Sequence, residues 1–242
     1  MRLFGLIGRP LGHSWSAKYF GEKFRREGID ARYELFELER IEDIASLPPE
    51  IGGFNVTIPY KQAVIPYLDA LSPEAQAAGA VNCVVCRNGR RTGHNTDIAG
   101  IRATLDMLAA GEDTGRALIL GTGGASAAVQ YVLAERGVPF ELVSRDPARG
   151  NLTYEMLTTE MLRDYRLIVN ATPAGMHPNT DDEPPIPYEG LNSGHMLFDL
   201  IYNPPLTRFL QHGAEAHALT AGGQTMFVAQ AEASWRLWNG KD

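Results

Sequence analysis

The sequence is poor in cysteine, with only Cys83 and Cys86 among its 242 residues. A redox role for such a Cys-x-x-Cys pair needs a reactive thiol at the start of a helix. Here the pair lies in a β-branched run that is typical of a strand, and two further ligands at zinc spacing are not evident. We therefore expect both cysteines to pack as small hydrophobic residues rather than to bind a metal or exchange electrons.

Positive charge and long apolar runs are also scarce. The chain has 22 Lys and Arg against 29 Asp and Glu, a formal net charge of −7, whereas a nucleic-acid partner requires a basic surface. Every apolar run falls short of the roughly 20 residues that cross a bilayer, and residues 1–8 read as a first strand rather than a signal peptide. We expect a cytoplasmic protein that binds small molecules, without a nucleic-acid or membrane partner.

Strand-like and helix-like segments alternate along the chain, which predicts an α/β fold with a mostly parallel sheet. Strands are predicted at residues 3–7, 31–36, 51–56, 81–86, 117–120, 140–143, 167–170 and 196–200. Helices are predicted at residues 16–27, 61–71, 101–108, 125–136 and 223–238. The pair Asn88-Gly89 is a strong signal for a hairpin turn after residues 81–86.

A glycine-rich turn, Gly121-Thr122-Gly123-Gly124-Ala125, joins an apolar strand to a helix, which is the context of a Rossmann turn. Gly121 allows the tight turn, and Gly123 lets the backbone approach a pyrophosphate. The first amides of the helix would then face the anion. This turn predicts dinucleotide binding by the second half of the chain.

The end of the next strand, Ser144-Arg145-Asp146, bears on the choice of dinucleotide. Arg145 and the nearby Arg149 suit a 2′-phosphate, because guanidinium groups make strong, charge-assisted contacts to phosphate. Asp146 could repel that phosphate or simply cap the following turn. The segment favours NADP and leaves NAD open.

Two polar clusters precede the glycine-rich turn. Lys61 ends the loop Asn55-Val56-Thr57-Ile58-Pro59-Tyr60-Lys61, and Asp97 ends His94-Asn95-Thr96-Asp97. An amine, a carboxylate and a dinucleotide turn in this order suggest proton transfer coupled to hydride transfer. Taken singly, Lys61 could be a solvated helix residue, Ser14 a helix N-cap and Asp97 a turn former.

Together these motifs resemble the shikimate dehydrogenase family over nearly the whole chain. The matching segments are 11–16, 55–61, 79–82, 95–100, 121–125, 170–173, 199–204 and 226–230. Departures from the family pattern include Trp15 and Ala17, where lysine and proline are common. His13 within the first segment is expected to be a structural hydrogen-bonding residue.

The resemblance implies a set of site residues. Lys61 and Asp97 would be catalytic, and which of the two is the principal proton carrier stays open. The residues implied at the substrate are Ser14, Ser16, Asn55, Thr57, Asn82, Tyr202 and Gln230. The residues implied at NADP are Gly121, Gly123, Gly124, Ala125, Ser144, Arg145, Arg149, Thr172, Met176 and Gly223.

The resemblance also implies an architecture and an activity. Residues 1–99 would form an α/β substrate-binding domain, completed by a C-terminal helix at 222–242, and residues 100–221 a Rossmann-type NADP-binding domain, with a cleft between them. The implied reaction is the reversible, NADP-dependent reduction of 3-dehydroshikimate to shikimate by a monomer or homodimer. The alternatives are a quinate/shikimate dehydrogenase that uses NAD, or a shikimate-binding module without activity.

Overall fold

The computed structural model describes residues 1–12 and 14–240, which form two compact units. The first unit contains Met1–Thr96 together with the chain from Ala231 onward, and the second contains Asp97–Gln230. His13 and the last two positions of the helix expected at 222–242 lie outside the described residues.

The first unit is built on a six-stranded sheet. Its strands are β1 (Arg2–Gly8), β2 (Ala31–Glu37), β3 (Ile51–Val56), β4 (Ala70–Leu71), β5 (Cys83–Arg87) and β6 (Arg90–His94), and its first helices are α1 (Ser16–Glu27) and α2 (Pro73–Ala78). The strand order is β2-β1-β3-β5-β6-β4. β1 is parallel to both neighbours, whereas β5 is antiparallel to β3 and β6. The hairpin predicted at Asn88-Gly89 is confirmed, with φ of 52° and 74° at the two residues.

The prediction of a helix at residues 61–71 is wrong. The chain instead makes turns, a single 3₁₀ segment at Ile65–Tyr67 and the short strand β4, which pairs with β6. Pro66 explains the difference, because proline has no N–H to donate and clashes with the preceding turn of an α-helix. The amide of Asp69 then bonds to the carbonyl of Arg91 on β6 across 2.9 Å.

The two cysteines lie on opposite faces of β5, as residues three apart on a strand must. Cys83 is fully buried in an aromatic cluster, and Cys86 packs half-buried against the other core. Neither Cys83 nor Cys86 forms a disulfide bond, and burial raises the pKa of Cys86 to about 11. The expected packing role is therefore confirmed.

The second unit has a five-stranded sheet in which all the pairings are parallel. Its strands are β7 (Ala117–Leu120), β8 (Phe140–Val143), β9 (Leu167–Asn170), β10 (Met196–Asp199) and β11 (Leu219–Ala221), in the order β11-β10-β9-β7-β8. Its helices are α3 (Asp97–Ala109), α4 (Gly124–Glu135), α5 (Thr159–Leu162) and α6 (Arg208–Glu215). It also contains the first part of α7 (Gln224–Trp238), up to Gln230. β7, β9 and β10 are buried throughout, as expected for a sheet covered on both faces. The predicted α/β class is confirmed.

The end of α7 belongs to the core of the first unit. Ala231 and Trp238 are buried among the aromatic side chains of Phe4, Phe20 and Phe24. A side chain at Gly53 would lie 2.3 Å from Nε1 of Trp238, and that nitrogen donates to the carbonyl of Val84 across 3.0 Å. These contacts fix the rotation of α7 about its axis and so determine which of its residues face the sheet.

Within the described ranges, each helix is too short or too polar for a segment that crosses a bilayer. The same residues contain no group of three or more His, Cys, Asp or Glu side chains placed to hold a metal ion.

Candidate active site

The loop that carries Lys61 follows β3 and is fixed at both ends by backbone hydrogen bonds. The amide of Thr57 donates to Ile7 at the end of β1 across 2.9 Å, and the carbonyl of Lys61 accepts from Val81 across 2.7 Å. A side chain on Gly8 would lie 2.4 Å from Cγ2 of Thr57, so the glycine allows this close approach. Thr57 and Lys61 are both half-buried, which leaves their side chains partly accessible.

Asn55, at the end of β3, has its side chain engaged inside the first unit. Its Nδ2 donates to the backbone carbonyl of Asn82 (3.1 Å) and to Oγ of Ser234 (2.9 Å). Its Oδ1 accepts from the hydroxyl of Tyr33 across 2.9 Å. Both donors of the carboxamide are thus used, so a direct bond to substrate would have to employ the second lone pair of Oδ1.

Asn82 immediately precedes β5, and Thr96 lies just after its neighbour β6. Oδ1 of Asn82 accepts from the backbone N–H of Thr96 (2.6 Å) and from its Oγ1 (3.1 Å). Asp97 follows directly as the first residue of α3 and is 4% exposed. A carboxylate at a helix N-terminus is favoured by the helix dipole.

The serines of the first motif lie at the start of α1. Oγ of Ser14 accepts from the amide of Ser16, the first residue of α1, across 3.2 Å. The N-cap interpretation of Ser14 is wrong, because the N-cap residue of α1 is Trp15. Ser16 is buried and Ser14 is half-buried.

Two of the residues implied at the substrate lie in the second unit. The rings of Tyr202 and Phe227 are 4.8 Å apart between centroids. Nε2 of Gln230 donates to the carbonyl of Phe227 across 3.0 Å. Both side chains are therefore held near the first turns of α7.

The glycine-rich turn has the form that the sequence predicted. Gly121 has φ of +101°, and a side chain there would lie 2.9 Å from Cγ2 of Thr172. Gly123 caps α4, and a side chain there would meet no atom within 4 Å. Gly124 and Ala125 form the first turn of α4. The turn thus offers open backbone at a helix N-terminus, which suits a pyrophosphate.

Asp146 acts as a turn cap in the segment after β8. Its Oδ1 accepts from the amide of Ala148 across 3.0 Å, and its own amide donates to Oγ of Ser144. Arg149 donates to the carbonyl of Thr122 in the glycine-rich turn across 3.0 Å, so the two segments are linked. Arg145 and Arg149 are both exposed and so accessible to a phosphate.

The side chain of Asn170 supports the loop after β9. Its Oδ1 accepts from the amide (3.0 Å) and the hydroxyl (2.6 Å) of Thr172. Met176 lies beyond this loop with 39% of its surface exposed. Gly223 makes a close approach, because a side chain there would lie 2.3 Å from the carbonyl oxygen of Leu200.

The structure thus places the predicted residues in several groups within the units. Asn55 and Asn82 are joined in the first unit, and the glycine-rich turn contacts Thr172 and Arg149 in the second. The motifs did not include the half-buried Tyr33 or the buried Ser234, and Asp199 lay within a matching segment without an assigned role. For Ser234 one signal exists in the sequence, since it is a polar residue at helical spacing between the buried Ala231 and Trp238.

The comparisons with known proteins cover both units. The family model for the shikimate dehydrogenase substrate-binding domain matches residues 6–84. A shikimate dehydrogenase (NADP(+)) of Clostridium beijerinckii is 38% identical over 252 residues, covering 98% of this chain and 92% of the relative.

Two solved structures have the same fold along their length. The shikimate 5-dehydrogenase of Thermus thermophilus, in complex with NADP(H) and shikimate, has a TM-score of 0.88 at 33% identity, covering 99% of this chain and 94% of that one. The quinate dehydrogenase of Corynebacterium glutamicum, in complex with NAD, has a TM-score of 0.88 at 27% identity, with coverage of 99% and 94%. Identity above 30% over nearly the whole length shows that this chain belongs to the shikimate dehydrogenase family.

Proposed function

We propose that this protein catalyses the reversible, NADP-dependent reduction of 3-dehydroshikimate to shikimate. The observation that carries the proposal is the similarity to NADP-dependent shikimate dehydrogenases along 98% of the chain. Both groups required for proton transfer, Lys61 and Asp97, are present in the matching motifs. Shikimate is a precursor of chorismate and the aromatic amino acids, so the enzyme belongs to that biosynthesis.

In this proposal the substrate and the cofactor are bound by different domains. The domain expected at 1–99 and 222–242, most of which forms the first unit, binds the substrate. The second, expected at 100–221, binds NADP. The open turn at Gly123 and the exposed guanidinium groups of Arg145 and Arg149 fit a pyrophosphate and a 2′-phosphate. The carboxylate of Asp146 accepts a hydrogen bond from a backbone amide, so we assign this side chain to the capping of the turn.

The chain's own residues supply the proton chemistry. When bound, NADPH supplies the hydride for the carbonyl carbon. Lys61 gives the proton that the carbonyl oxygen requires as the hydroxyl forms, and recovers it in the reverse direction. Asp97 accepts a hydrogen bond from the same hydroxyl. Ser14 and Ser16 hold the carboxylate, and the side chains of Thr57, Asn82, Tyr202 and Gln230 hold the ring substituents.

Steady-state oxidation of shikimate with NADP tests the proposal. We expect Lys61→Ala to lose roughly 10²- to 10⁴-fold in kcat, the usual contribution of a positioned acid or base, while still binding shikimate by calorimetry. Gln62→Ala, an exposed neighbour on the same loop, is the control and should keep wild-type kcat. Shikimate binding without turnover in the wild type would contradict the proposal and favour a non-catalytic binding module.

A second candidate, quinate oxidation with NAD, is favoured by the structural similarity to a quinate dehydrogenase. The same assay with quinate and NAD distinguishes the two, since the proposed enzyme should prefer shikimate and NADP in kcat/KM. A cytoplasmic location and a monomeric or homodimeric state remain predictions, and light scattering after size-exclusion chromatography measures the latter.

A further inference from the structure

We infer that Asn95 is a positioning residue for Lys61, which it holds through the peptide group between Ala80 and Val81. Nδ2 of Asn95 donates to the carbonyl of Ala80 across 2.9 Å. The N–H of Val81, which belongs to the same peptide group, donates to the carbonyl of Lys61 across 2.7 Å. All four residues lie in the first unit. The inference rests on the proposed function, in which Lys61 transfers the proton.

The orientation of the buried Asn95 carboxamide is fixed by the carbonyl that it contacts. A backbone carbonyl can only accept, so the branch that faces Ala80 is the nitrogen. Among the described residues, no hydrogen-bond donor reaches Oδ1 of Asn95. A flipped carboxamide would bring two acceptors together at Ala80. Asn95 therefore presents a donor to this carbonyl.

The side chain of Asn95 replaces a backbone partner that the sheet does not supply to Ala80. The paired register of β5 and β6 begins at Cys83 and His94, so Ala80 lies beyond the end of the ladder. Asn95 directly follows β6, and its side chain reaches back to this carbonyl. The peptide group is thus held from the β6 side by a side chain, which a mutation can remove without breaking the ladder.

The peptide group transmits this constraint to Lys61. The bond between Ala80 and Val81 is trans, so its C=O and N–H point in opposite directions within one rigid plane. A donor on the carbonyl holds the plane and polarises the N–H on its other side, which strengthens the second bond. The contact of 2.7 Å to Lys61 is at the short end of the range for such bonds. Without the Asn95 donor the plane is free to tilt and to move the backbone of Lys61.

The anchors of this region separate proton transfer from substrate binding. Asn82 has backbone bonds of its own, since its N–H donates to His94 across 3.1 Å and its carbonyl accepts from Val56 across 2.8 Å. Loss of the Asn95 donor should therefore move Lys61 more than Asn82. Proton transfer requires a donor and an acceptor within hydrogen-bond reach, and a misplacement of about 1 Å can lower a rate roughly 10²-fold. The effect should thus fall on kcat rather than on the binding of shikimate.

The kinetic test uses Asn95→Ala and Asn95→Leu in the full-length protein. Alanine adds no volume and leucine keeps the branched shape, so a defect that both variants share is due to the lost donor. We expect kcat for shikimate oxidation to fall roughly 10- to 100-fold, with the calorimetric Kd for shikimate unchanged. Kd for NADP should also be unchanged and reports that the second unit is folded. If Asn95→Leu does not fold, Asn95→Ala decides.

Hydrogen exchange of single backbone amides, followed by NMR, tests the same contact without turnover. In both variants the N–H of Val81 should exchange roughly 10-fold faster than in the wild type, the effect of one weakened hydrogen bond. The N–H of Val56, which donates to Asn82, should keep its wild-type rate and is the internal control.

Ser72→Ala is the control for general loosening of the first unit. Oγ of Ser72 accepts from the amide of Ala75 and caps α2, the helix that ends just before Ala80. Loss of this cap should lower the melting temperature and leave kcat unchanged.

Three outcomes overturn the inference. They are wild-type kcat in Asn95→Ala, a Kd for shikimate that rises by the same factor as kcat falls, and an equal loss of kcat in Ser72→Ala. Absence of turnover in the wild type rejects the proposed function, and the exchange rate of Val81 then decides the inference. An unchanged rate overturns the positioning of Lys61 by Asn95, whereas faster exchange supports it.

Discussion

Nδ2 of Asn170 donates to Oδ1 of Asp199 across 3.1 Å, which joins the ends of the neighbouring strands β9 and β10. Asp199 is fully buried and also accepts from the amide of Ile201 (3.0 Å) and the hydroxyl of Thr207 (2.6 Å). Since Asn170 in turn holds Thr172, one buried carboxylate supports the loops that carry two predicted ligand-binding residues, Thr172 and Tyr202. These loops leave the carboxyl ends of parallel strands, where open α/β sheets bind their ligands.

Asp199 should make the stability of the second unit depend on pH. Burial raises the pKa of Asp199 to about 6, although hydrogen bonds from Thr207, Ile201 and Asn170 oppose the shift. The unfolded chain has a pKa of about 3.9 for this group, so the folded state binds the proton more tightly. The contribution of protonated Asp199 to the free energy of unfolding is thus fully present below about pH 4. It is lost as the pH rises through 6. The difference between the folded and unfolded pKa values corresponds to about 3 kcal/mol in the free energy of unfolding.

Urea unfolding between pH 4 and 7 measures this effect. Asp199→Asn cannot titrate, so its free energy of unfolding should fall less with pH than that of the wild type. The exposed Asp164→Asn is the matched control and should follow the wild type. Parallel pH profiles for wild type and Asp199→Asn would show that the carboxylate is ionised throughout this range.

Two glycines of the same turn should respond differently to alanine. Gly121 has a left-handed φ of +101° and would place its new side chain 2.9 Å from Thr172, so Gly121→Ala should destabilise the protein by about 1–3 kcal/mol. Gly123 has φ of −86° and open space around it. Gly123→Ala should therefore keep wild-type stability but weaken NADP binding, because its methyl group occupies the pyrophosphate position. Thermal melting and calorimetry measure the two effects, and unchanged NADP affinity in Gly123→Ala would argue against a pyrophosphate at this turn.

The parts of the molecule that were predictable from sequence depend on local signals. The turn at Gly121 follows from glycines at fixed spacing between an apolar strand and a helix, and the structure has that arrangement. The helix predicted at 61–71 does not form, because Pro66 interrupts the segment. The bond between Asn55 and Ser234 joins residues 179 apart in the chain. No local pattern encodes such a contact, since it depends on the packing of α7 in the first unit.

Asp97→Asn should separate the carboxylate's chemical role from its structural one. We expect kcat for shikimate oxidation to fall roughly 10²-fold or more, because the amide accepts a hydrogen bond but carries no charge. At the N-terminus of α3, where Asp97 is buried, the loss of charge should cost up to about 2 kcal/mol of stability. Initial rates and thermal melting give both values. A kcat close to wild type would assign proton transfer to Lys61 without a contribution from Asp97.

Asp146 and Arg149 should act in opposite directions on the preference for NADP. In Asp146→Asn the side-chain oxygen can still accept from the amide of Ala148, so the turn is kept while a negative charge near the 2′-phosphate is removed. KM for NADP should fall by a few-fold, with KM for NAD unchanged. Arg149→Ala removes a guanidinium group and should raise KM for NADP roughly 10-fold or more, as expected for a charge-assisted bond to phosphate.

The bond from Arg149 to the Thr122 carbonyl complicates Arg149→Ala, because its loss could loosen the turn for either cofactor. KM for NAD resolves this, since a loosened turn raises both KM values and a lost phosphate contact raises only that for NADP. Equal increases would assign Arg149 to the support of the glycine-rich turn and leave Arg145 as the residue that recognises the 2′-phosphate. Arg145→Ala should then raise KM for NADP alone.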